Sequence, residues 1–355
     1  MAKRILITGG AGFIGSNLAC FLKGALKNHE IICMDNLVRA GSEINAARLK
    51  KSGVIFKKGD VRKKNDLLRF SRIDTIIDCC AEPSVLAGFD DPVYTIDTNL
   101  IGTINCLELA KKEKCHMIFL STSRVYPIRL INDIPYDEKD SRFDYKEDAK
   151  GVGYSFDGIS EEFNLNGVRS LYGATKMASE HLIHEYIDIF GIRAVINRFG
   201  VIAGPWQMGR IDQGLIGYWI ARHLYGGTLK FIGYKGSGKQ LRDVLHVDDL
   251  CELVLYEMLH MKELNSLVFN VGGGRNRTFS LLELTGLARK ITGRTMDITP
   301  ILEPRRADVR IYITDNGYVS KLTGWKPKRS LGDVVEDTYQ WMKENKDQLQ
   351  EVLGT

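Results

Sequence analysis

Short apolar runs punctuate the first two-thirds of the chain: Ile5-Leu6-Ile7, Ile31-Ile32-Cys33-Met34, Val54-Ile55-Phe56, Thr75-Ile76-Ile77-Asp78, Met117-Ile118-Phe119-Leu120 and Ala194-Val195-Ile196. The runs are continuous rather than alternating, and helix-like stretches separate them. Strands of that kind are covered on both faces, so the pattern predicts an α/β fold built on a Rossmann-type, doubly wound parallel sheet. Residues 127–169 break the rhythm with charges, Asp/Gly pairs and no clear period, and read as a long insertion. Past Arg198 the spacing grows irregular. Glycine-rich turns (Gly226-Gly227, Gly236-Ser237-Gly238, Gly272-Gly273-Gly274) alternate with helical segments such as 248–259 and 280–292. The expected organisation is a dinucleotide-binding domain over 1–197, to which 244–270 returns, and a smaller α/β substrate lobe made of 198–243 and 271–355 at the sheet's carboxyl edge.

Composition narrows the partners. With 355 residues, 44% of them hydrophobic, the chain can bury a sizeable core. The formal charge of +5 is spread along the chain, and its Lys/Arg clusters are short. That is not the footprint of a nucleic-acid-binding protein. No apolar run approaches a membrane span and the first residues enter a strand directly, which predicts a cytoplasmic protein without a membrane partner. Seven cysteines lie scattered in apolar segments without C-x-x-C pairs, so buried thiols are expected, with neither a disulfide framework nor a metal site.

Two constellations carry chemistry. Strand 4–8 runs into Gly9-Gly10-Ala11-Gly12-Phe13-Ile14-Gly15 and then a helix. Glycines 9, 12 and 15 permit a tight turn, close approach of a pyrophosphate to backbone N–H groups and close helix–strand packing. Twenty residues past Gly15 stands Asp35, whose carboxylate would accept hydrogen bonds from a ribose and repel a 2′-phosphate, favouring NAD over NADP. Phe13, Ile14 and Asn36 are counted with the cofactor contacts, as are Asp60-Val61 at the end of the third strand and Asn99 heading a helix. Glu82 could approach the cofactor as well.

The second constellation is Tyr172-Gly-Ala-Thr-Lys176. A phenol and an ammonium four residues apart share one helix face. The lysine would lower the cost of the phenolate, which could then take a proton from a sugar hydroxyl while a hydride leaves carbon. Thr122, at the carboxyl end of the fifth strand, is the choice for a hydroxyl that orients the sugar and shares the proton. Ser121 and Ser123 beside it remain alternatives.

With Gly9, Gly12, Gly15, Asp35, Thr122, Tyr172 and Lys176 in this order, the chain resembles the extended short-chain dehydrogenase/reductase family, in particular its sugar-nucleotide epimerases and dehydratases. The likeness covers nearly the whole chain. Ile211-Asp-Gln-Gly-Leu-Ile-Gly-Tyr-Trp219 and Gly238-Lys-Gln-Leu-Arg-Asp-Val-Leu-His-Val-Asp-Asp249 are similar to the branch that inverts C2 of CDP-linked hexoses. The resemblance implies an NAD-using isomerase acting on a CDP-hexose, with Arg242 and either Arg305 or Arg306 on the diphosphate and Asp212 and Gln213 near the sugar or nucleotide. Ser123 and Arg124 would line the sugar pocket. It also implies a homodimer or homotetramer paired through helices 100–112 and 171–189. The chain departs from that branch at Glu82 (glutamine there), Arg124 (lysine), Pro127 (glycine) and Leu171 (proline), all around the sugar pocket. A C4 epimerase shares the core residues. A 4,6-dehydratase would need an Asp-Glu pair where Ser123 and Arg124 stand. A non-catalytic NAD-binding regulator commonly lacks the Tyr or the Lys.

Overall fold

The computed structural model describes residues 2–210, 213–303 and 305–354, and the chain divides into two compact units. The first comprises Met1–Val125, Ser170–Arg198 and Leu250–Phe269. It is built on a seven-stranded sheet of β1 (Arg4–Thr8), β2 (Glu30–Asp35), β3 (Ile55–Lys58), β4 (Thr75–Asp78), β5 (His116–Thr122), β6 (Arg193–Phe199) and β7 (Val268–Val271), in the order 7-6-5-4-1-2-3. Strands β3, β2, β1, β4 and β5 pair in parallel. Outside the edge strand β3, whose Ile55 is exposed, the continuous apolar runs exist because both faces are covered: Leu6, Ile32, Ile76, Met117 and Ile196 are buried with Leu107, Ala110 and Ile183, and Ile5, Ile7, Ile31, Cys33, Ile77 and Ile118 are buried as well. The strand order reverses between β1 and β4, and their carboxyl ends open the crevice where a doubly wound sheet takes its ligand.

Strand β7 did not stand out in the apolar pattern. The helix expected over 100–112 is longer: Pro92–Ile96 continues through a π-helical turn at Asp97–Ile101 into Gly102–Glu113. Such turns recur at functional sites, and this one carries Asn99. No disulfide forms; Cys33, Cys106, Cys115 and Cys251 are buried and Cys20, Cys79 and Cys80 partly so.

The second unit comprises Tyr126–Arg169, Phe199–Asp249 and Asn270–Thr355. Its sheet centres on Leu241–His246, paired with Val201–Ala203, Thr278–Ser280 and Ile311–Tyr312. The two units are of similar length rather than one large and one small, because the segment expected as an insertion in the first domain groups with the second. That segment is no loop: it holds a short helix (Ile128–Asn132), a hairpin (Tyr136–Glu138 with Phe143–Tyr145) and a three-stranded miniature sheet. Phe143 donates its N–H to the Lys239 carbonyl, Tyr145 its hydroxyl to that of Ile311, and Arg275 pairs with Asp144 at 2.6 Å. Conversely, the helix Val247–Leu259 joins the first unit from Leu250 onward. Among the described residues no helix is long and apolar enough to cross a membrane.

Candidate active site

At the end of β1 the backbone turns on Gly9, whose φ of +63° suits glycine. A Cβ there would lie 2.9 Å from the Cys79 carbonyl, and one at Gly15 would lie 2.3 Å from the Gly9 carbonyl. Gly10, which the sequence reading left out, is as constrained, since its Cβ would meet the Cys33 Cβ at 2.4 Å. Gly12 has only the Gly9 carbonyl near it, at 3.1 Å, so the chain itself asks least of this glycine. It caps the helix Phe13–Ala25 without any side-chain hydrogen bond. The opening amides, those of Phe13 and Ile14 included, thus point toward a site for an anion.

Asp35 ends β2 with its carboxylate held by the N–H groups of Leu37 (2.8 Å) and Ala11 (3.1 Å). Burial raises its pKa from the usual carboxylate value, opposed by those amides and by Arg39. Asn36 donates to Asp60 at 3.4 Å, and Arg62 pairs with Asp60 at 2.6 Å, lowering that carboxyl's pKa. Val61 is buried, and its carbonyl accepts from Asn105. Asn99 is wholly buried: it accepts from the Glu82 N–H (2.7 Å) and donates to the Glu82 carbonyl (3.1 Å) and the Thr175 hydroxyl (3.2 Å). A glycine cradle without room for side chains, an uncapped helix start and a carboxylate fixed at the end of β2 together fit a dinucleotide.

Tyr172 opens the helix Leu171–Phe190. Ser170 caps that helix by accepting from the Gly173 N–H at 3.2 Å. A Cβ on Gly173 would lie 2.0 Å from the Arg124 carbonyl, so the helix start is pressed against the single turn Ser123–Val125. This packing brings Tyr172 to Thr122, whose hydroxyl favours the phenolate. Thr122 also accepts from the Arg124 N–H at 3.2 Å. Desolvation raises the Tyr172 phenol above its ordinary pKa; the Thr122 hydrogen bond and then Arg124 and Arg39 act to lower it, while Glu82 raises it.

Lys176 is 1% exposed and sits over the Phe119 ring, its Nζ 4.0 Å from the centroid. Burial lowers its pKa, and Asp78 heads the neighbours that favour the ammonium. Asp78, which the sequence reading passed over, is clamped between the hydroxyls of Thr8 (2.7 Å) and Thr103 (2.9 Å). Beneath the helix, Glu180 holds Arg198 at 2.7 Å and accepts from Ser121, all three buried. Ser121 is therefore committed to the core, which leaves Thr122 and Ser123 of the three hydroxyls, and Thr122 is the one that acts on the phenol.

In the second unit, Arg242 on the strand Leu241–His246 pairs with Asp308 at 3.4 Å and donates to the carbonyls of Leu241, Val309 and Arg310. Asp308 also borders a cavity of about 440 Å³ lined by Arg305, Tyr234, Lys235, Asn132 and Leu302. Arg305 lies in this lining, whereas Arg306 is exposed. Gln213 exchanges backbone hydrogen bonds with Arg210 (2.6 and 3.1 Å). Asp212 lies outside the described residues. Arg305 in the cavity lining, and Arg242 paired with the Asp308 that borders it, suit a doubly charged phosphate group. Asp308 is a further residue the sequence reading missed.

Residues 5–272 match the model of the NAD dependent epimerase/dehydratase family. The chain is 30% identical to CDP-paratose 2-epimerase of Salmonella typhi over 95% of this chain and 98% of that one. It is 26% identical to dTDP-glucose 4,6-dehydratase of Salmonella typhimurium (96% and 93%). Among solved structures, UDP-glucuronic acid 4-epimerase from Bacillus cereus in complex with UDP-glucuronic acid and NAD superposes with a TM-score of 0.79 at 27% identity, covering 96% of this chain and 99% of that one.

Proposed function

The chain belongs to the NAD dependent epimerase/dehydratase family, and from that membership we propose that it inverts C2 of a CDP-linked hexose through a transient 2-keto sugar. The observation that carries the proposal is the Tyr172 phenol set beside the Thr122 hydroxyl and a cation, Arg124, both of which favour its ionised form. A 4,6-dehydration would need carboxylates at 123 and 124 to expel water; serine and arginine stand there. The choice of CDP and C2 is supported by the likeness to CDP-paratose 2-epimerase over nearly the full length of both chains.

Bound in the crevice, NAD supplies a carbon that accepts a hydride and gives it back. Tyr172, as the phenolate, takes the proton of the C2 hydroxyl, and Thr122 holds that hydroxyl in line. Arg124 favours the negative charge on the phenol oxygen, and Asp78 favours the ammonium of Lys176 against its burial. When the sugar has presented its other face, Tyr172 returns the proton to the 2-keto oxygen, so no net oxidation follows. Arg242 and Arg305 hold the diphosphate while the sugar turns. Pairing of two copies through the helices Gly102–Glu113 and Leu171–Phe190 belongs to the same reading.

The test uses a CDP-hexose deuterated at C2. Inversion with the label retained in the product, lost in the Tyr172→Phe variant, is the expected result. Inversion with the deuterium exchanged into water would instead mean proton abstraction from C2 and overturn the mechanism.

A further inference from the structure

The sheet order places β1 between β4 and β2, with the three strands parallel. Their carboxyl ends therefore lie side by side, the glycine turn in the middle. Four residues beyond the end of β2 stands Arg39, and four beyond the end of β4 stands Glu82. Their side chains meet at 3.1 Å. A bridge between loops that flank β1 on both sides has to pass over β1's carboxyl end, where the Gly9–Gly15 turn presents its amides.

The two halves are built differently. Glu82 is fixed: Asn99 holds both its N–H and its carbonyl, and the same Oε1 that meets Arg39 accepts from the Ser84 N–H at 3.0 Å. Its side chain is 14% exposed. Arg39 sits in a loop that turns through Leu37 and Gly41, both at positive φ, and that is tethered near its root by the Leu37 N–H to Asp35. Asp35 thus ties the root of the Arg39 loop to the glycine turn through Ala11. A fixed acceptor on one bank and an arginine on a tethered loop on the other can open to admit a ligand and close behind it.

We propose that Arg39 and Glu82 form a clasp across the crevice that retains the dinucleotide between the two hydride transfers. The proposal rests on the reading of this crevice as the NAD site. An epimerase that returns its hydride has a use for such a clasp, since loss of the reduced cofactor in mid-cycle would strand the 2-keto sugar. Glu82 also contributes geometry through Ser84, and Glu82→Gln keeps an oxygen for that bond while removing the charge.

The test measures release of pre-bound NAD after rapid desalting, by an enzymatic cycling assay of the free cofactor, in the full chain and in Arg39→Gln, Glu82→Gln and the double variant. Each single variant should release NAD about tenfold faster, the scale of one charge-assisted hydrogen bond. The double variant should be no faster than the singles, because a pair is broken only once. Apo melting temperatures unchanged among the variants exclude a folding defect. Wild-type release rates in all three variants, with binding intact, overturn the clasp alone. So does acceleration by Arg39→Gln but not by Glu82→Gln, which would make Arg39 a direct cofactor contact. A wild-type chain that binds no NAD in calorimetry overturns the crevice reading and the clasp together.

Discussion

Glu257 offers the sharpest energetic prediction because it is a carboxyl with no exposure at all. It lies on the helix Val247–Leu259, and its Oε2 accepts from Asn197 Nδ2 at 2.8 Å. Its Oε1 and the Asn197 Oδ1 both lack a hydrogen-bond partner. A protonated carboxyl turned toward the amide would satisfy both, as would a glutamine. Desolvation raises the pKa from 4.5 to about 8, opposed by the Asn197 hydrogen bond. The sign follows directly. Below pH 4.5 folded and unfolded chains both hold this proton, so pH has no effect through Glu257. Between 4.5 and about 8 only the unfolded chain ionises, and stability falls as pH rises; above about 8 the loss levels off. At about 1.36 kcal/mol per pH unit this amounts to about 5 kcal/mol in all, of which roughly 3 kcal/mol is in force at pH 7. Glu257→Gln removes the titration and keeps the shape. In urea unfolding followed by circular dichroism from pH 5 to pH 9, the stability of E257Q relative to the wild type should rise by several kcal/mol with pH and then plateau. A difference flat to within about 0.5 kcal/mol across that range would refute the reasoning.

Three further outcomes follow from the packing around Tyr172. Gly173→Ala forces a Cβ into the Arg124 carbonyl; it should cost about 2 kcal/mol in thermal or urea unfolding and lower kcat by displacing the phenol from Thr122. Glu180→Ala removes the carboxylate paired with the buried Arg198 guanidinium and should cost about 3–5 kcal/mol in urea unfolding, while replacing both partners by apolar residues of similar volume should recover most of it. Arg124 lowers the Tyr172 pKa, so Arg124→Gln raises it and moves the acidic limb of the kcat–pH profile to higher pH; a limb that stays in place would assign the phenolate's stabilisation elsewhere.

Six of the seven sheet strands were legible, five of them because burial on both faces writes itself as an apolar run and the edge strand β3, with Ile55 exposed, through Val54-Ile55-Phe56. Strand β7 was not: Asn270 interrupts the apolar positions of Val268–Val271, and three glycines follow at once. The segment 127–169 read as a loop. Its strands are two or three residues long and stabilised by pairing and by Arg275 and Lys239 far along the chain. The glycine turn, Asp35 and the Tyr172 helix could be read because their chemistry is local in sequence. Asp78 and Asp308 could not. Each takes its meaning from partners about 70 residues away, Thr8 for one and Arg242 for the other, and a lone Asp at a strand end or in a turn carries no mark of that. Asn99, expected near the cofactor, holds Glu82 and Thr175 with its side chain, partners that no local pattern announces. The choice between Arg305 and Arg306 likewise had no local signal, and only the cavity separates them.

The central claim is inversion at C2 of a CDP-linked sugar, and proton NMR of the purified protein tests it most directly, with CDP-paratose, CDP-glucose and the UDP, GDP and dTDP glucoses supplied separately and no NAD added. The account predicts the signals of the C2-inverted sugar with CDP substrates alone. Inversion at C4, a 4-keto-6-deoxy product, or turnover of a UDP sugar with the CDP sugars untouched would contradict it.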